Sequence, residues 1–240
     1  MRLIINADDY GYSKGITDGI VDGIKAGAVT STTLMTNTVW SKYAIQQALS
    51  NNLDCIGLHV VFTYGRPLTN CPSLCDTDGK FLDQWKQAEN HNAIEEEVYI
   101  EVKAQLEFAT SRGIKITHID THHFSKAVPA IQNGIYRVCR EYNLPARNEG
   151  DSMNGVKTTD VFDKSFFGDN ATEQTIKEVI AKYKGTGKTV ELMCHVGYMD
   201  EETLAKTIYK HEREHELQVL IKAKQNGVFD GIELISFKDL

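Results

Sequence analysis

The sequence predicts one α/β domain over residues 1–240, folded as a distorted, TIM-barrel-like (β/α) barrel of seven strands. Three observations point there. A chain of 240 residues has the length for one substantial core. Short β-branched runs alternate with segments of helical periodicity along the whole chain, the signature of a parallel sheet. Gly27, Gly113, Gly185 and Gly227 lie where helices would end, as left-handed caps do.

The elements follow in order. Strands are expected at 3–7 (LIINA), 30–37 (TSTTLMTN), 55–61 (CIGLHVV), 115–120 (KITHID), 145–149 (PARNE), 189–196 (TVELMCHV) and 231–237 (GIELISF). Helices are expected at 14–26, 41–51, 93–112, 126–142, 172–184 and 201–226. In the last of these Leu204, Ile208, Leu217, Leu220 and Ile221 supply the apolar stripe. Seven strands in one compact domain favour a closed or distorted barrel over an open sheet. The connections 62–92 and 150–171 are too long for simple turns and are candidate binding loops.

Composition excludes several classes. A formal charge of −7 with few basic clusters argues against nucleic acid or an anionic membrane as partner. No apolar run approaches the roughly 18 residues of a membrane span. The opening MRLIINADDYG has no signal-peptide pattern, so a cytoplasmic location is expected. Five scattered cysteines make a disulfide framework improbable. Cys71 and Cys75 lack a second pair to complete a zinc quartet.

Chemistry is concentrated at the strand ends. Asp8 and Asp9 end the first strand, and Asn37 ends the second. His59 lies near the end of the third, His122 just past the fourth, Arg147 near the end of the fifth and His195 near the end of the sixth. In a parallel barrel these ends converge on one face. Alternation along KITHIDTHH puts His118, Asp120 and His122 on one face and Ile119, Thr121 and His123 on the other. His122 would then sit at the rim, with His118 deeper and Asp120 placed to steady a histidine ring; the alternative for His118 and Asp120 is a self-satisfied polar layer. Two histidines and a carboxylate hold a divalent ion with positions left for water, and a second carboxylate can act as base toward that water. The Asp8-Asp9 pair fits this division if one of the two lies beyond the strand end, where the chain turns.

HEREH, residues 211–215, matches the H-E-x-x-H string of helical zinc proteases. It sits in YKHEREHELQVL, a run of both charge signs that reads as a solvated helix face.

NADDYG (6–11), the following SKG, the run 27–37, GLHV (57–60), THIDTHH (117–123) and ELMCH (191–195) together resemble the YdjC-like carbohydrate deacetylase family, which includes the chitooligosaccharide deacetylases. The motifs occur in family order over nearly the whole chain. The family's Arg-x-x-Glu-Leu string is met by Arg213, Glu216 and Leu217, which accounts for HEREH without zinc. The resemblance implies a distorted seven-stranded β/α barrel, metal ligands at Asp9, His59 and His122, Asp8 as catalytic base and His195 as acid. It implies magnesium, whereas two imidazoles suit zinc or another transition metal better, and it implies a tendency toward homodimers. Members often carry proline after the MCH histidine; Val196 stands there in this chain.

The expected activity is hydrolysis of an N-acetyl group from an amino sugar within a short oligosaccharide, as in oligosaccharide degradation. Tyr64, Phe81 and Trp85 either stack on sugar rings or pack their loop, and Arg147 either orients Asp8 or binds substrate. Two alternatives are a metal-dependent phosphoesterase, which would require a second metal site, and a non-catalytic sugar- or metal-binding protein, which needs neither base nor acid.

Overall fold

In the computed structural model, which describes residues 1–123, 128–150 and 155–240, seven parallel strands form a curled sheet. They are β1 (Arg2–Tyr10), β2 (Ser31–Leu34), β3 (Ile56–Val61), β4 (Ile119–His122), β5 (Val161–Asp163), β6 (Thr189–Cys194) and β7 (Glu233–Leu234). The order is β4-β3-β2-β1-β6-β5, with β7 paired to the start of β1. The interior faces of β1, β3 and β6 are buried along almost their whole length, as parallel strands under helices require.

The expected fifth strand at 145–149 is instead an extended segment holding single parallel bridges, Ile119 to Ala146 and Ala146 to Thr158. Those two bridges join β4 toward β5 and complete the curl. The ladder strand β5 lies sixteen positions later than expected, at 161–163, inside the connection read as a loop. Its three residues are only partly buried, which explains the weak apolar signal. Residues 151–154 of that connection, and the expected helix start at 126, lie outside the described residues.

Helices α1 (Lys14–Lys25), α2 (Ser41–Ser50), α4 (Glu95–Thr110), α5 (Pro129–Tyr142) and α6 (Glu173–Tyr183) match the periodicity, and α3 (Gln84–Ala88) adds a short helix within the 62–92 connection. Ser13 and Thr172 cap α1 and α6 through their side-chain oxygens. The four expected capping glycines all have positive φ. The expected helix 201–226 is divided into α7 (Glu201–Lys206) and α8 (His211–Gln225). Thr207 is extended there and Tyr209 turns inward to place its hydroxyl on Glu216. Leu217 and Leu220 are buried as predicted, but Ile208 falls in the break and is 95% exposed.

The long 62–92 connection is pinned from below. Glu101, buried on α4, accepts hydrogen bonds from the backbone of Leu68 and Thr69. Gln87 donates to the carbonyls of Phe62 and Leu74, and Asn37 to those of Tyr64 and Arg66. A loop held this way presents fixed side chains. Among the described residues, no helix is long and apolar enough to cross a membrane.

Candidate active site

The C-terminal strand ends surround a cavity of about 760 Å³. Asp8 and Asp9 both enter it from β1, although neighbouring strand residues ordinarily point to opposite faces. The resolution is a bulge inside the strand rather than a turn beyond it. The β1–β2 register shifts between Ala7 and Tyr10, and Asp9 adopts φ 72°. Asp tolerates that left-handed region better than most residues, and a bulge of this kind re-aims a side chain.

Asp9 Oδ1 lies 3.2 Å from His59 Nε2 and 2.9 Å from His122 Nδ1. Its other oxygen accepts from Arg213 Nη2 at 2.7 Å. Burial alone would raise the Asp9 pKa, but Arg213 and His122, with hydrogen bonds from both histidines, hold it well below the usual carboxylate range. One ligand atom from each of Asp9, His59 and His122 lies within 4.8 Å of the others, room for one cation among them. His59 Nδ1 is 2.7 Å from Asp120 Oδ1, which orients the ring and leaves Nε2 toward Asp9. Burial opposes the His59 charge, yet Asp120 and Asp9 raise its pKa to about 10.

Asp8 is held by Arg147, whose Nη1 and Nη2 reach its two oxygens at 2.8 and 2.6 Å. The same guanidinium contacts Asp120 at 3.0 Å and Glu191 at 2.8 Å. Arg147 is 2% exposed, spends its donors on these three carboxylates and is not among the residues lining the cavity, so its contact with the site runs through Asp8. A second three-ligand set, Asp8, His59 and Asp120, already has this guanidinium as its counter-charge. Burial pushes Glu191 up to about 7.

His195 Nε2 stands 4.0 Å from Asp8 Oδ2. Burial pushes its pKa down to about 4, and Nδ1 has no partner among the described residues. Its ring meets Phe167 and Tyr209 edge-on at 5.5 and 5.7 Å. Glu216 on α8 accepts the His195 backbone N–H and the Tyr209 hydroxyl. Val196 is fully buried, so packing rather than a proline ring fixes the segment after the histidine.

His123 departs from expectation. β4 ends at His122, His123 has φ 66°, and strand alternation no longer governs it. Its ring lies 4.2 Å from that of His122 and lines the cavity, with Nδ1 against Thr63 Oγ1 at 2.8 Å. It is outside the three-ligand set. Tyr64 and Trp85 line the cavity, Trp85 at the rim with 76% exposure. Phe81 does not: it is buried edge-on against Phe62 at 5.8 Å. Tyr12, Phe167, Ile208, Tyr209 and Arg213 also line the cavity. Of these, only Arg213 had any signal in the sequence. His211 and His215 face outward while Arg213 and Glu216 of the same helix point in, so the HEREH string spans two faces.

The YdjC-like protein family matches residues 2–228. The chain belongs to that family. A carbohydrate deacetylase of Brevibacillus brevis is 37% identical over 255 residues, covering all of both chains. A carbohydrate deacetylase of Clostridium beijerinckii is 37% identical over 247 residues, again covering both completely. A solved Enterococcus faecalis structure, described as a candidate cellobiose-phosphate cleavage protein, superposes with a TM-score of 0.90 at 28% identity, over 99% of this chain and 98% of that one. These two full-length relatives of the YdjC-like chain share one name, and the fold above is the one that the solved Enterococcus faecalis protein adopts.

Proposed function

We propose that this YdjC-like protein is a metal-dependent carbohydrate deacetylase, a hydrolase that removes the N-acetyl group of an amino sugar within a short oligosaccharide. The observation that carries the reading is the pairing of a fixed carboxylate, Asp8, with His195 4.0 Å away, beside the three-donor cluster at the cavity floor. The two full-length relatives named carbohydrate deacetylase support the substrate class.

The residues present fit a divalent ion. Asp9, His59 and His122 would hold it, and their one oxygen and two nitrogens favour zinc or another transition metal over the magnesium suggested by resemblance. Such an ion supplies polarisation of an amide carbonyl and acidification of a water. Asp8, clamped in the aim that Arg147 gives it, takes the proton from the attacking water as general base. His195 is neutral at pH 7, because burial holds it down to about 4. The proton for the departing amine therefore reaches Nε2 from Asp8 and passes on to the sugar nitrogen. Trp85 and Tyr64 at the mouth offer flat faces to sugar rings.

The test is acetate release from N-acetylated oligosaccharides by the purified protein, with and without chelator and with zinc or magnesium restored, beside hydrolysis of phosphoesters. Metal-dependent acetate release with no phosphoester turnover is expected. Phosphoester turnover without acetate release refutes the reading, as does neither activity with a metal-loaded protein.

A further inference from the structure

Beneath Asp8 the barrel holds a polar layer that the reaction does not touch. Asn6, two residues earlier on β1, is fully buried. Its Nδ2 lies 2.9 Å from Asp8 Oδ1 and 3.3 Å from Asp120 Oδ2, and its Oδ1 lies 3.2 Å from His118 Nε2. His118, also fully buried, has Nδ1 2.9 Å from Thr117 Oγ1. The imidazole lies flat on Phe237, with centroids 3.8 Å apart and planes at 8°. On its β3 side it lies over Gly57, where a Cβ would stand 2.4 Å from a ring carbon. The ring is fixed between a glycine and the C-terminal segment.

With a neutral His118 ring, only one arrangement of protons satisfies this layer. Two carboxylates face one edge of the Asn6 amide, and a carboxylate only accepts. The NH2 must therefore be on that edge and the carbonyl must face His118. His118 Nε2 must then carry a hydrogen. Its Nδ1 is left bare to accept the Thr117 hydroxyl, which completes every polar contact in the layer. Burial, which pushes His118 down to about 3, agrees with a singly protonated ring.

We propose that His118 and Asn6 are positioning residues for Asp8: the His118 Nε2–H on the Asn6 carbonyl locks the amide so that its NH2 steadies Asp8 and Asp120 together. The inference rests on the reading of Asp8 as base. It gives the first histidine of THIDTHH a role distinct from that of His122 or His123. A rotated Asn6 would turn its carbonyl toward both carboxylates and push Asp8 from its aim. Small displacements of a reacting group cost large factors in rate.

The experiment combines two measurements on the full chain. Nitrogen-15 NMR of the histidine rings should show His118 as the Nε2–H tautomer from pH 5 to 8. In deacetylation, His118→Leu should lower kcat about tenfold with KM nearly unchanged, because substrate contacts lie on the other side of Asp8. His118→Gln, whose amide can still donate to Asn6, should recover most of that loss. If His118→Leu fails to fold, Asn6→Ala tests the same kcat, with Asn6→Ser as the donor-retaining partner. A wild-type kcat in the donor-less variant, a loss that the donor-retaining variant does not recover, or an Nδ1–H tautomer overturns the proposal. Absence of wild-type deacetylation refutes the reading of the site, and with it the base these residues position. Wild-type deacetylation with an unresponsive kcat refutes the positioning alone.

Discussion

Asp8→Asn and Asp9→Asn should fail in different ways, and the structure sets the sizes. Asp9 is the carboxylate partner of Arg213 among the described residues and also faces both cluster histidines. Its amide would leave a buried guanidinium without a counter-charge, and Nη1 of that guanidinium is already without a partner. Breaking a buried pair from one side costs about 3–5 kcal/mol; Asn keeps one neutral acceptor, so about 3 kcal/mol is expected, roughly 6–12 °C in Tm for a domain this size. The Asp9 pKa lies below its unfolded value, so this contribution is present above roughly pH 4 and lost on acidification; the comparison belongs at pH 7. Asp8→Asn leaves Arg147 with Asp120 and Glu191 and should cost only about 1–2 kcal/mol. Metal content measured after dialysis should fall in Asp9→Asn and stay near stoichiometric in Asp8→Asn. Acetate release should fall in both, by about 10²–10⁴-fold in Asp8→Asn as expected for a lost general base. Metal loss in Asp8→Asn with retention in Asp9→Asn means that the two roles are exchanged. Full activity in both ends the hydrolase reading.

Three further tests address other parts of the site. His122→Ala should abolish stoichiometric metal binding, whereas His123→Ala, His211→Ala and His215→Ala should each retain most of it; loss on changing either helix histidine would reopen a zinc-protease reading. Glu216 is buried with its pKa pushed up to about 7. A raised carboxyl pKa means that ionisation is penalised in the folded state, so stability falls as pH rises from about 4.5 toward 7. Glu216→Gln keeps its carbonyl as acceptor for the His195 N–H, turns its NH2 to the Tyr209 hydroxyl oxygen and removes that penalty, so thermal melts should match wild type near pH 4.5 and exceed it by up to roughly 3 kcal/mol at pH 8; an equal difference at both pH values contradicts the shift. Trp85→Ala should raise KM for an N-acetylated oligosaccharide about five- to tenfold with kcat little changed, as for lost stacking at the rim, and an unchanged KM removes Trp85 from the binding surface.

The architecture was legible wherever apolar periodicity expresses burial. β1, β3 and β6 are buried along nearly their whole length, and their runs are unambiguous. β5 was missed because its three residues are half-buried and pair only at the sheet's far side. The 145–149 segment was overread as a strand because its one buried apolar residue, Ala146, makes only single parallel bridges. The helix over 201–226 failed for a tertiary reason: Tyr209 gains a buried hydrogen bond to Glu216 only if the helix breaks before it. No local propensity encodes that exchange.

The site was legible where residues come from strand ends and illegible where they arrive from elsewhere. Asp9, His59 and His122 share a strand-end address, and β3–β4 register alone sets His59 opposite Asp120. Arg213 lies 204 residues from Asp9, and Glu216 belongs to a helix with charges of both signs, so neither announces an inward orientation by composition. The disposition of α8 nevertheless has a physical logic. Arg213 and Glu216, three positions apart, share one helix face, and that face meets Asp9 through one residue and the backbone of His195 through the other. A single rigid element thereby fixes the spacing between the Asp9–His59–His122 cluster and His195. Because His211 and His215 lie on the outward side, with His215 Nε2 bonded to the Ala171 carbonyl at 2.9 Å, the string that looks most like a metal motif is the back of that device. Positional reading of one helix, rather than the match of five letters, separates the two.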